Sequence, residues 1–193
     1  MWAALDELRK GDKAHRKYRT LSAATLKLRL LTAQRGDEVQ GMEWSELDLD
    51  SGWWTIPGEK TKNGLTHRVY LTPQSMRIIE EARHLCEEKP SQYVFPGPRG
   101  GHIANVQKAI QRVCKETHID FHGHDLRRTA ASLMTGMGIP RLTVSKILNH
   151  VEPGVTAVYD RYGYDREKRE ALEAWNKRLM VIVSGLKELK AEA

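Results

Sequence analysis

The chain has 193 residues, 40% of them hydrophobic and 29% charged, an ordinary globular composition that excludes a fibrous or wholly disordered protein. Lys and Arg outnumber Asp and Glu by 31 to 25, and the formal charge of +6 favours a polyanionic partner without choosing among nucleic acid, an anionic membrane surface and simple solubility. No stretch approaches the roughly 18 apolar residues of a membrane span and the first residues carry no leader pattern, so one soluble, cytoplasmic domain over residues 1–193 is expected.

In chain order, Leu26, Leu30 and Ala33 at helical spacing predict a helix over 22–34, broken by Gly36-Asp37 before a shorter helical pattern over 38–44. Residues 53–71 change texture: WWTIP and HRVYL favour strands, and Asn63-Gly64 between them is a turn signal, so a hairpin with a basic tip is expected. Thr72-Pro73 reads as an N-cap followed by proline at the first helical position, opening a helix to about residue 88. A short strand over 93–96 and a glycine-rich loop over 97–101 come next. Further helices are expected over about 102–117, 124–136, 140–148 and 154–161, with a long amphipathic one from 165 to near the end. The fold class is therefore α+β, mainly α, with one small antiparallel sheet. Cys86 and Cys114 form no C-x-x-C pair, and neither a disulfide framework nor a zinc knuckle is indicated.

Breaking a phosphodiester without a metal requires an in-line nucleophile, cations facing the non-bridging oxygens, and an acid for the departing oxygen. Arginine suits the second task because its planar fork gives two hydrogen bonds to one phosphate. Arg35 stands at the helix break after Leu30-Leu31-Thr32-Ala33-Gln34, and Arg127 follows His124 at i, i+3 on one helix face. Taken singly, Arg35 reads better as a solvated arginine near a loop, and a lone H-x-x-R arises often by chance.

Combined with the lysine at the hairpin tip, Asn149-His150 and the tyrosine-rich segment over 159–164, these two arginine segments resemble the phage-integrase family of tyrosine recombinases. The family carries an arginine box, a lysine on a β-hairpin, H-x-x-R, a later G-H or N-H, and a tyrosine about nine residues on. Here they read Thr32-Ala33-Gln34-Arg35-Gly36-Asp37-Glu38, Lys62 before Asn63-Gly64, His124 to Arg127, Asn149-His150, and Tyr159, nine residues beyond His150. Ala33 and Asn149 stand where the family often has glycine, and Tyr70 where it often has proline.

The resemblance implies a helical catalytic domain that acts on double-stranded DNA. Arg35 and Arg127 would hold the scissile phosphate, with His124 and His150 adding hydrogen bonds or moving protons. Lys62 would be the general acid, Glu38 would orient its neighbours, and Tyr159 would be the nucleophile of a 3′-phosphotyrosyl intermediate. No cofactor, metal or ATP is implied. The catalytic core would span about 20–162, and the helix over 165–190 would serve subunit contacts in a tetramer on DNA. The N-terminal clamping domain usual in the family is expected to be absent.

His118, His122 and His124 form a cluster that could suggest zinc, but Gly123 breaks the register that would stack them. Tyr162 and Tyr164 crowd Tyr159; Tyr162 lies a helical turn further on and is the rival nucleophile. A topoisomerase of type IB, sharing the chemistry without exchanging partners, and a DNA-binding module that lost activity are the alternative functions.

Overall fold

The computed structural model describes residues 1–8, 13–151 and 162–191. The helix expected over 154–161 lies outside these. The described helices are α1 (Trp2–Glu7), α2 (Lys13–Thr32), α3 (Gly36–Gln40), α4 (Pro73–Cys86), α5 (Gln107–Thr117), α6 (Gly123–Gly136), α7 (Arg141–Ile147) and α8 (Asp165–Ala191). Strands β1 (Leu47–Asp48), β2 (Trp53–Ile56) and β3 (His67–Tyr70) form one antiparallel sheet in the order β1-β2-β3.

Helix α2 is the hub, packed by α1, α3, α4, α5, α6 and α8. Leu21, Leu26, Leu28, Leu30 and Leu31 are all buried, so apolar residues surround its axis rather than marking one face. Its hydroxyls are satisfied within the helix: Ser22 donates to the Tyr18 carbonyl at 2.8 Å and Thr32 to that of Leu28 at 2.6 Å. The helix begins well before residue 22, because its first turns, from Lys13 to Arg19, are mostly basic, at most half-buried from His15 on, and carry no apolar period for a sequence window to detect.

In the sheet, Trp53 pairs with Tyr70 and Ile56 with His67. Trp54 is fully buried and its indole donates to Glu46 at 2.9 Å, while Lys60 answers the same carboxylate and that of Glu43. Helix α4 opens as expected, Pro73 following the N-cap Thr72, whose hydroxyl accepts from the Ser75 amide. The span expected as a strand over 93–96 makes only isolated bridges, Glu43 with Tyr93 and Pro96 with His102. That second bridge, with the Ile103 amide donating to the Phe95 carbonyl at 2.8 Å, removes 102–106 from the helix expected there, and α5 starts at Gln107.

Buried residues form a continuous cluster from Ala4 to Val183. In α8, Leu172, Trp175 and Leu179 belong to it, and the Trp175 indole donates to the Leu30 carbonyl at 2.9 Å. These three positions of the amphipathic helix expected from residue 165 belong to the core. Cys86 is buried, Cys114 half-buried, and both are free thiols. Among the described residues no helix is long and apolar enough to cross a membrane.

Candidate active site

The site grows from the break between α2 and α3. Ala33 has φ +58°, a left-handed conformation that a β-carbon disfavours and glycine adopts freely, which explains glycine at this place in the resembling family. The turn aims the Ala33 carbonyl at α6, where it accepts from Arg127 Nη1 at 2.8 Å. Buried Gln34 closes the turn, its amide nitrogen 2.7 Å from the Thr32 carbonyl and 2.9 Å from that of Ile147. Arg35 is the N-cap of α3 and is held at both ends by Glu38: the backbone N–H donates to Oε2 at 2.9 Å and Nη1 to Oε1 at 3.0 Å. The Glu38 side chain is 2% exposed and that of Arg35 25%, so the carboxylate lies behind and the guanidinium faces outward.

Arg127 is 4% exposed. Its Nη2 donates to the Leu148 carbonyl at 2.5 Å and lies 3.5 Å from His150 Nε2. Burial, and next the like charge of Arg35, bring its pKa down to about 10, with Glu38 opposing. It remains a cation at neutral pH. His124, one turn earlier on α6, is exposed, and its pKa is lowered by partial desolvation and then by the cations Arg128, Arg127 and Arg29.

His150 follows α7 through Asn149, whose φ of +50° is again left-handed; asparagine tolerates it better than most residues. The His150 amide donates to the Ser145 carbonyl at 3.1 Å, and its ring is exposed. Asn149 also reaches the hairpin, where Asn63 Nδ2 donates to its carbonyl at 3.0 Å. Gly64 at φ +73° completes the expected turn, and the Thr61 hydroxyl lies within hydrogen-bond distance of the Gly58 and Leu65 carbonyls. Exposed Lys62 is thus carried on a braced tip.

Arg35, Lys62 and His124 line one open cleft of about 490 Å³. Neither Arg127 nor His150 lines that cleft: Arg127 is hydrogen-bonded to the Ala33 and Leu148 carbonyls and meets His150 directly. A larger hollow of about 670 Å³, beside Trp44, Arg83 and Pro90, holds none of the expected site residues. Tyr159 lies outside the described residues. Tyr162 is 57% exposed, precedes α8 rather than sitting on a helix, and donates from its hydroxyl to Glu167 at 3.2 Å. His118 is the left-handed C-cap of α5 and His122 the N-cap of α6. No three His, Cys, Asp or Glu side chains cluster as a metal-ligand set among the described residues.

Sequence reasoning missed four contributors. Arg29 lines the cleft, Asn63 and Asn149 clasp its two sides, and buried His67 lies 3.0 Å from the same Ile147 carbonyl that Gln34 contacts. Burial, then the nearby cations Lys168, Arg127 and Arg35, push the His67 pKa down to about 3, so it is neutral here and donates through Nε2. Only the asparagines carried a signal, one beside the turn glycine and one beside the histidine.

The protein is similar to putative protein IntB of Escherichia coli K12, 25% identical over 175 residues, covering 81% of this chain and 44% of the relative. It is similar at 25% identity to tyrosine recombinase XerA of Saccharolobus solfataricus, covering 89% of this chain and 56% of that protein. The chain thus spans about half the length of these curated relatives. Its fold is similar to the XerH site-specific recombinase bound to difH substrate, with a TM-score of 0.64 at 18% identity over 86% of this chain and 48% of that one. A family model described as the phage integrase family matches residues 4–166, and the chain belongs to that family.

Proposed function

We propose that the protein is the catalytic part of a site-specific recombinase, cutting and rejoining double-stranded DNA through a covalent tyrosine adduct. The observation that supports this best is the cleft in which Arg35, Lys62 and His124 converge, together with the direct contact between Arg127, one turn along α6 from His124, and His150. Two guanidiniums held by buried partners are preorganised charge for a phosphorane, needing no rearrangement as charge develops.

In the proposed reaction the Tyr159 oxygen attacks phosphorus and the bond to the 5′ oxygen breaks. Lys62 gives its proton to that oxygen. His124, whose pKa is lowered by partial desolvation and by the neighbouring arginines, takes the tyrosyl proton. Arg35 and Arg127 hold the non-bridging oxygens, and Glu38 fixes the orientation of Arg35. The 3′-phosphotyrosyl bond conserves the energy of the broken linkage, and attack by a 5′ hydroxyl reverses each transfer. The balance requires neither metal nor ATP. The Tyr162 hydroxyl, engaged with Glu167, favours Tyr159 as nucleophile. On DNA the protein would work as a homotetramer.

The test is incubation with a nicked suicide duplex in EDTA without ATP, followed by two-duplex strand exchange. A covalent adduct and exchanged products are expected. Absence of the adduct overturns the reaction class, and an adduct with supercoil relaxation but no exchange replaces recombinase by topoisomerase.

A further inference from the structure

Four cations are buried among the described residues: Lys27, Arg29, Arg127 and Lys168. Three are answered. Lys27 pairs with Asp6 at 2.5 Å, Arg127 donates to two carbonyls, and Lys168 pairs with Asp165 at 2.9 Å and donates to the Arg68 carbonyl at 3.0 Å. Arg29 is 8% exposed, makes no hydrogen bond or ion pair among the described residues, and its Nε is enclosed without a partner. An unanswered buried guanidinium is unfavourable, and burial lowers its pKa, with only the field of exposed Asp37 opposing.

The surroundings are shaped to keep it there. A β-carbon on Gly36 would lie 2.7 Å from Arg29 Cζ, and one on Gly123 would lie 2.7 Å from its Nη2. The guanidinium is therefore pressed between two backbones that only glycine leaves thin enough. Gly123 is the first residue of α6, a 14-residue helix whose opening turn favours an anion. Arg29 also lines the cleft that holds Arg35, Lys62 and His124. A cation with no hydrogen-bonded or ion-paired partner among the described residues, beside a helix start and facing a cleft whose one acidic lining residue is exposed Asp37, lacks one component: a bound anion.

We propose that Arg29 is a second phosphate-binding residue, which takes a backbone phosphate of the DNA strand next to the scissile one. This rests on the reading of the cleft as a DNA site. Arg29 would position the strand and enter no bond-making step. Arg35, Lys62 and His124 would then remain free for the reacting phosphate.

The test compares the wild type with Arg29→Met in two measurements. In the first, inorganic phosphate is titrated at constant ionic strength and thermal stability is read. The variant is expected to be at least as stable as the wild type without phosphate, because an unanswered charge has gone, and to need about tenfold more phosphate for the same protection. In the second, affinity for a duplex oligonucleotide is followed against salt, and the log-log slope is expected to become shallower by about one. A variant that is less stable or unfolded makes Arg29 a structural strut and overturns the proposal. Unchanged phosphate protection or an unchanged slope overturns it as well. The phosphate titration needs neither DNA nor cleavage, so it decides Arg29 even if no tyrosine adduct ever forms.

Discussion

The side-chain amide of Asn63 donates to both the backbone carbonyl and the side-chain oxygen of Asn149, at 3.0 and 3.2 Å, and Asn149 Nδ2 returns to Asn63 Oδ1 at 3.3 Å. This clasp locks the hairpin tip onto the turn after α7. The backbone positions of Lys62 and His150, each adjacent to one of the asparagines, are thereby tied together.

Asn63→Ala is expected to leave DNA binding intact and to slow cleavage by about 10²-fold, the scale of an ångström misplacement of a reacting group. If the loss acts through Lys62 as the acid, a 5′-bridging phosphorothiolate, whose sulfur leaves without a proton, should restore most of the rate for both Asn63→Ala and Lys62→Ala. Equal impairment on both substrates would mean that the clasp does not position the acid.

Ala33 occupies a left-handed position that glycine would take without strain. Ala33→Gly should therefore stay within about 0.5 kcal/mol of the wild type in chemical denaturation, relief of strain offsetting the lost methyl and the freer unfolded chain. Ala24→Gly, inside α2, should lose about 1 kcal/mol or more. Similar losses at both positions would contradict the strain.

Arg35→Ala removes preorganised charge and leaves the carboxylate of Glu38 buried with only the Arg35 backbone N–H. Cleavage should fall by roughly 10² to 10³-fold, and stability by about 2 kcal/mol. Adding Glu38→Gln should recover part of the stability and none of the rate. Recovery of both would place Arg35 in the scaffold alone.

His67 gives the pH dependence a sign. Its pKa is about 3 in the fold against 6.5 for the ordinary imidazole, so between those values the unfolded chain binds a proton that the folded chain refuses. Stability should fall as pH drops through that window, by up to about 1.4 kcal/mol per unit, and should not respond to this group above pH 6.5. His67→Gln, whose amide can still donate to Ile147, should flatten the slope in urea titrations across pH 4 to 6, a range inside that window. An unchanged slope would assign acid sensitivity elsewhere.

The parts of this fold that could be read from the sequence are those encoded locally. Thr72-Pro73 caps a helix by its own chemistry, Asn63-Gly64 makes its own turn, and the H-x-x-R spacing puts His124 and Arg127 one turn apart on α6, the first exposed and the second buried. Strand β1 was hidden because two residues carry no period. The early start of α2 was hidden because its first turns are mostly basic, at most half-buried from His15 on, and without an apolar period. Arg29 was hidden for a different reason: its meaning depends on Gly36 and Gly123, one near and one far along the chain, leaving room for it. In sequence it is one more arginine on a leucine-rich helix. The left-handed turns at Ala33 and Asn149 carry no local signal, since glycine is replaced at each; only the resemblance, which often has glycine there, marks the positions.

We propose that Tyr159 carries the DNA. Wild type, Tyr159→Phe and Tyr162→Phe should each be incubated with a labelled nicked suicide duplex, and the adduct digested and mapped. A covalent adduct is expected for the wild type and Tyr162→Phe, with the nucleotide on the peptide at Tyr159, and none for Tyr159→Phe, which loses one oxygen and should still fold and bind DNA. An adduct that survives Tyr159→Phe, or a label on Tyr162, would contradict it.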